Sequence, residues 1–129
     1  MKKLSILFFI SLFIFTGVLK CSAMGVSNAL KNTSSKPAVI LVYAEWAEGY
    51  ETAVKNFRAI QPKLKNKFNF AELNIADSEA KYFNSKYYIF TNLPYVFMIR
   101  GNGRVTKQIP QNCVLSQSCL ADKIKTFVP

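Results

Sequence analysis

The residues of this chain best equipped for chemistry are a cysteine pair, Cys113 and Cys119, and the turn Trp46-Ala-Glu-Gly-Tyr50. A cysteine pair can bridge, exchange disulfides, or stay as two thiols. Inside one helix six residues span about 9 Å, beyond the roughly 4.4–6.8 Å between Cα atoms that a disulfide requires. With Ser116 as a helix cap, however, Cys113 precedes the helix and Cys119 falls in its first turn, so the chain folds back and a bridge becomes feasible. Closing so short a loop contributes about 2 kcal/mol. The same placement suits exchange chemistry, because a helix N-terminus stabilises a thiolate at Cys119. Glu48 opens a helix and reads as a surface acid favoured by the helix dipole. The chain has no histidine, which excludes a His-based triad or metal site. No metal and no cofactor is expected.

The turn has to be delivered by something. Val39-Ile-Leu-Val42 is a continuous β-branched and aliphatic run, the mark of a strand covered on both faces. After the turn, Tyr50, Ala53, Val54, Phe57, Ile60 and Leu64 recur at helical spacing, and Pro62 ends or kinks that helix. A second strand runs from Asn69 to Ile75, with Ala71, Leu73 and Ile75 inward. Asp77 or Ser78 caps a helix through Lys86, with Tyr82 and Phe83 among its apolar contacts. Tyr95 to Arg100 and Arg104 to Ile109 are strands joined by Gly101-Asn102-Gly103, a strong hairpin signal. A last helix spans about Gln117 to Val128. Leu115 staples against Leu120 across its cap, and Leu120, Ile124 and Phe127 form its buried face. Two strands each followed by a helix imply a parallel βαβ unit, and the hairpin makes the sheet mixed.

The stretch Val39 to Tyr50 resembles the thioredoxin family, whose motif is an apolar strand, then Ala-Glu-Trp, then Cys-Gly-Pro-Cys. Ala44-Glu45-Trp46, Leu73-Asn74-Ile75, Pro94 and the Asn-Gly hairpin are the close matches, within a likeness that covers nearly all of the chain after residue 23. The resemblance implies an α/β, thioredoxin-like fold with a mixed four-stranded sheet and flanking helices. It implies a cis bond at Leu93-Pro94, with the Leu93 backbone offered to an extended peptide by strand addition. A plain tight turn without a ligand is the other reading of that loop. Ala47 and Tyr50 stand at the family's two cysteine positions. Its buried acid falls at Leu41 and its lysine at Glu72. An alanine is no nucleophile and a tyrosine resolves no disulfide, so thioredoxin-type redox activity is not expected. Trp46, beside Tyr50, Leu93 and Tyr95, either forms an aromatic platform for a partner or caps the edge of the core.

Outside this domain, Lys2 and Lys3, the apolar run Leu4 to Leu19, and the small residues Ser22, Ala23 and Gly25 follow the plan of a secretory signal peptide over residues 1–23, cleaved after Ala23. An uncleaved membrane anchor and acylation at Cys21 are the alternatives; Lys20 and Leu19 fit a lipobox poorly. Residues 24–37, Ser/Asn/Thr-rich with a weak helical turn around Ala29 and Leu30, read as a linker, and 38–129 as the domain. Cleavage removes three lysines and no acid, taking the net charge of +10 to +7. The lysines are scattered and no nucleic-acid motif accompanies them, so nucleic acid is not an expected partner. The expectation is therefore a periplasmic or secreted module, membrane-associated if its N-terminal segment stays. It binds an extended peptide or protein at an edge formed by Trp46, Ala47, Glu48, Gly49, Tyr50, Leu93, Pro94 and Tyr95. The rivals are an oxidoreductase working through Cys113 and Cys119, and a structural envelope protein held by its basic surface.

Overall fold

The computed structural model of the chain describes residues 24–87 and 92–128. The expected signal peptide and Cys21 lie outside the described residues. In chain order the elements are α1 (Val26–Ala29), β1 (Ala38–Tyr43), α2 (Tyr50–Leu64), β2 (Asn69–Asn74), α3 (Glu79–Tyr87), β3 (Tyr95–Arg100), β4 (Val105–Ile109), α4 (Gln111–Val114) and α5 (Gln117–Lys125). The strands form one sheet in the order β2-β1-β3-β4. β1 pairs parallel with β2 and antiparallel with β3, which pairs antiparallel with β4. The mixed sheet expected from the hairpin and the βαβ unit is present.

Because strand side chains alternate, β1 feeds two cores at once. Val39 and Leu41 pack with Ala53, Phe57, Ile60 and Leu64 of α2 and with Leu120 and Ile124 of α5. Ala38, Ile40 and Val42 pack on the other face with Ala80 and Phe83 of α3. This is why the β1 run is apolar without a break. Phe70 in β2 is buried for the same reason, although the alternation of Ala71, Leu73 and Ile75 had suggested a strand buried on one face only. Pro62 sits inside α2, two residues before its end at Leu64. The hairpin carries three left-handed residues in succession, Gly101, Asn102 and Gly103, with φ of 63°, 58° and 87°. Arg104 N–H closes it by donating to the Gly101 carbonyl at 3.2 Å.

Three expectations need correction. The segment 24–37 does not hang free as a linker: Val26 and Ala29 are buried among Ala71, Leu73 and Phe83, and Thr33 accepts the Gly101 N–H at 3.1 Å through its carbonyl. Met24 adds a single parallel bridge to Ala71 on the free edge of β2. Small apolar residues three apart were enough to bury one face of a single turn. Tyr82 is 65 % exposed, since Ala80, Phe83 and Tyr87 share the inward face of α3 and position 82 falls off that face in helical phase. The last helix stops at Lys125 and is preceded by the unexpected short helix α4. Ser116 does cap α5, accepting the Cys119 N–H.

Candidate functional site

β1 ends at Tyr43 and the chain turns over residues 44–49 before α2 begins. Ala47 N–H donates to the Ala44 carbonyl at 3.0 Å, and Tyr50 N–H to the Ala47 carbonyl at 3.3 Å. Asn74, at the end of β2, holds this turn from the side. Its amide donates to the Glu45 carboxylate at 2.9 Å and its oxygen accepts the Ala76 N–H at 3.0 Å. Facing the turn is the Leu93-Pro94 loop, whose bond is cis. Between them lies an open cavity of about 450 Å³ lined by Trp46, Ala47, Glu48, Ile75, Asn92, Leu93 and Gln111. Trp46 is 78 % exposed on its rim.

Gly49 is the N-cap of α2, with φ of 85°. A Cβ placed there would stand 3.1 Å from a δ-carbon of Leu115. Gly49→Ala is therefore expected to lower stability by about 1–2 kcal/mol, the cost of a left-handed alanine, before Leu115 has moved at all. Urea unfolding of the variant tests this: the midpoint should fall with an unchanged slope. A midpoint equal to that of the parent would show that the turn relaxes freely.

The structure separates residues expected to form one aromatic platform. Trp46, Ala47, Glu48 and Leu93 share the cavity. Tyr50 does not: it stacks on Tyr43, rings parallel within 8° and centroids 6.1 Å apart. The two line a second cavity along α2 with Glu45, Glu51, Val54, Lys55, Arg58 and Ala59. As the first residue of α2, Tyr50 projects onto the β1 flank. Tyr95 is 4 % exposed, because β3 alternation sends it inward with Phe97 and Ile99. Pro94 is buried as well. Leu41 is fully buried, and Glu72 accepts two hydrogen bonds from Arg58 at 2.9 Å each.

Six of the seven acids of this basic chain, Glu45, Glu48, Glu51, Glu72, Asp77 and Glu79, lie in or beyond the carboxyl halves of β1 and β2. Their field is felt locally. Burial first, then Glu72 and Asp77, pushes the Tyr43 phenol above its usual range. Burial alone does so for Tyr95. Among the described residues no group of three His, Cys, Asp or Glu is placed to hold a metal, and no helix is long and apolar enough to cross a membrane.

Sequence reasoning missed Gln111. Its side-chain amide donates to the Leu93 carbonyl at 3.2 Å and sits 3.4 Å from the Glu48 carbonyl, tying together the two lips of the cavity. Its partners lie 18 and 63 residues away, so no local pattern announces it. The Leu93 carbonyl, expected to await a peptide, already accepts one bond and keeps a second lone pair. The cysteines are also closer to this edge than their sequence position suggested. Cys113 and Cys119 form a disulfide with Cα atoms 5.2 Å apart. The loop it closes carries Leu115, which abuts Gly49, and Val114, whose carbonyl accepts a buried hydrogen bond from Asn56 at 3.1 Å.

No family model matches the chain, and no curated protein matches it. Solved structures do. It is similar to the thioredoxin of Fasciola hepatica, at 15 % identity with a TM-score of 0.61, covering 78 % of this chain and 88 % of that one. A Schistosoma mansoni thioredoxin pre-protein in its reduced form gives 22 % identity and a TM-score of 0.62 over 79 % and 88 % of the two chains. The Malassezia sympodialis thioredoxin Mala s 13 gives 16 % and 0.63 over 78 % and 84 %. At these identities the likeness is one of fold.

Proposed function

We propose that this chain, whose fold is that of the thioredoxins, is an exported, non-catalytic module that binds an extended peptide or protein segment in the groove between turn 44–49 and the Leu93-Pro94 loop. The observation that carries the reading is the exposed Trp46 beside Ala47 and Leu93 on a cavity of about 450 Å³ that contains no thiol. An exposed aromatic next to an apolar concavity is the arrangement from which binding hot spots are made. Neighbouring backbone supplies polar anchors for an extended chain. Export rests on the pattern of residues 1–23. Its check is the N-terminus of protein recovered from the periplasm or medium, which should be Met24.

Trp46 is the only tryptophan in the chain, so its fluorescence reports the groove directly. Peptides recovered from a random heptamer display on the purified domain should shift that emission to the blue. Trp46→Ala should weaken their binding, followed by calorimetry, by tenfold or more, a loss of at least about 1.4 kcal/mol. The domain should not reduce insulin. Turnover of insulin, or peptide binding indifferent to both Trp46→Ala and Leu93→Asp, removes the proposal.

A further inference from the structure

A smaller cavity of about 290 Å³ lies beside the groove, lined by Asn92, Tyr95, Gln108, Pro110, Gln111 and Asn112. Asn92 and Gln111 line both cavities, so the two are neighbours that share a wall. Four of the six lining residues are carboxamides and none bears an ionised group. Tyr95 is the one buried member, and its hydroxyl, shut off from solvent, has no hydrogen-bond partner among the described residues. Buried polar groups are nearly always paired, so this hydroxyl is a donor that an occupant of the cavity would satisfy.

We infer that this cavity is a second subsite of the groove, and that it takes an uncharged carboxamide, the side chain of an Asn or Gln in the bound peptide. The inference rests on the peptide-binding reading above. Three eliminations select the chemistry. A carboxylate or ammonium would lose its hydration with no counter-ion in the wall. An aliphatic side chain would leave the Tyr95 hydroxyl unpaired and would displace water from the exposed amides without replacing its hydrogen bonds. A carboxamide carries an acceptor and two donors in one plane, and meets other carboxamides in paired hydrogen bonds while its oxygen accepts from the phenol. Burial holds that phenol protonated, hence able to donate. Asn92, Gln108 and Asn112 are exposed. Their side chains turn within nanoseconds, which lets them swing to meet an occupant.

Two probes test it. Propionamide and propionate are titrated separately into isotope-labelled protein, with the side-chain amide signals of Asn92, Gln108 and Asn112 followed by NMR. Propionamide should shift them and propionate should not, and Tyr95→Phe should abolish the shift. In parallel, a groove-binding peptide containing Gln is compared with its Glu and Leu isosteres. The Gln form should bind about tenfold more tightly, the worth of one or two buried hydrogen bonds, and Tyr95→Phe should erase the preference. Equal affinity of Gln, Glu and Leu peptides that still shift Trp46 emission would sink the subsite and leave the groove standing. Peptides that never bind, with propionamide still shifting the amides, would sink the groove and this assignment with it. A Tyr95 hydroxyl bonded to an ordered water that propionamide does not displace overturns the inference as well.

Discussion

Leu41→Asp will leave the domain unable to hold its native structure at neutral pH. Leu41 is fully buried in the central strand, among Phe57, Val96, Met98 and Leu120. Shortening it to alanine already costs about 2–5 kcal/mol in transfer and cavity terms. A carboxylate adds the loss of its hydration in a wall of hydrocarbon, and the sum approaches the roughly 5–15 kcal/mol that holds a small domain together. The position matters because the thioredoxin resemblance puts a buried acid there. With no thiols at positions 47 and 50 to trade protons with, such an acid has no task and only its penalty. Near-UV circular dichroism and urea unfolding of the Ala and Asp variants decide the matter. Leu41→Ala should fold with a lowered midpoint, and Leu41→Asp should lose its near-UV signal. An Asp variant within about 1 kcal/mol of the Ala variant would mean that water or a cation reaches this core, contrary to the packing.

Breaking the Cys113–Cys119 bridge will lower stability by about 2 kcal/mol, the loop-closure value for a ring this small, and will weaken peptide binding at Trp46. The second effect follows from what the ring holds. Gln111 precedes it and clamps the Leu93 carbonyl, while Leu115 inside it abuts Gly49. The suitable variant is Cys113→Ala with Cys119→Ser, since Cys113 is buried and a hydroxyl there would go unpaired. A reduction titration read by mass after alkylation completes the measurement. A bridge that resists potentials down to about −300 mV is a staple, and one that opens near about −200 mV returns the oxidoreductase reading. Unchanged stability in the variant would show that the Asn56–Val114 hydrogen bond and the core hold the loop unaided.

The fold was legible because each of its cues is short-range. An unbroken apolar run marks β1, helical spacing from Ala53 to Leu64 marks α2, and Asn102-Gly103 marks the hairpin. The cis bond was legible only through resemblance, since nothing about Leu93-Pro94 alone distinguishes cis from trans. The site was half legible. Trp46, Ala47, Glu48 and Leu93 do converge, but adjacency in a motif does not say where a side chain points. Tyr50 turned to Tyr43 because helix phase, not proximity to Trp46, sets its direction. Tyr95 turned inward by strand alternation. Gln111 was invisible because a single amide bridging two loops leaves no periodicity behind.

The Met24 bridge to Ala71 has a directional consequence. Because it is parallel, the backbone at Met24 runs the same way as β2 and β1, from their amino ends toward their carboxyl ends. The groove lies past the carboxyl end of β1, beyond Tyr43. Met24 itself therefore sits on the outer edge of β2, level with the middle of that strand and two strands away from the Leu93-Pro94 side of the groove. A surface attached at Met24 meets the outer edge of β2 and not the end of β1 where Trp46 stands, and capture experiments can be built on that point.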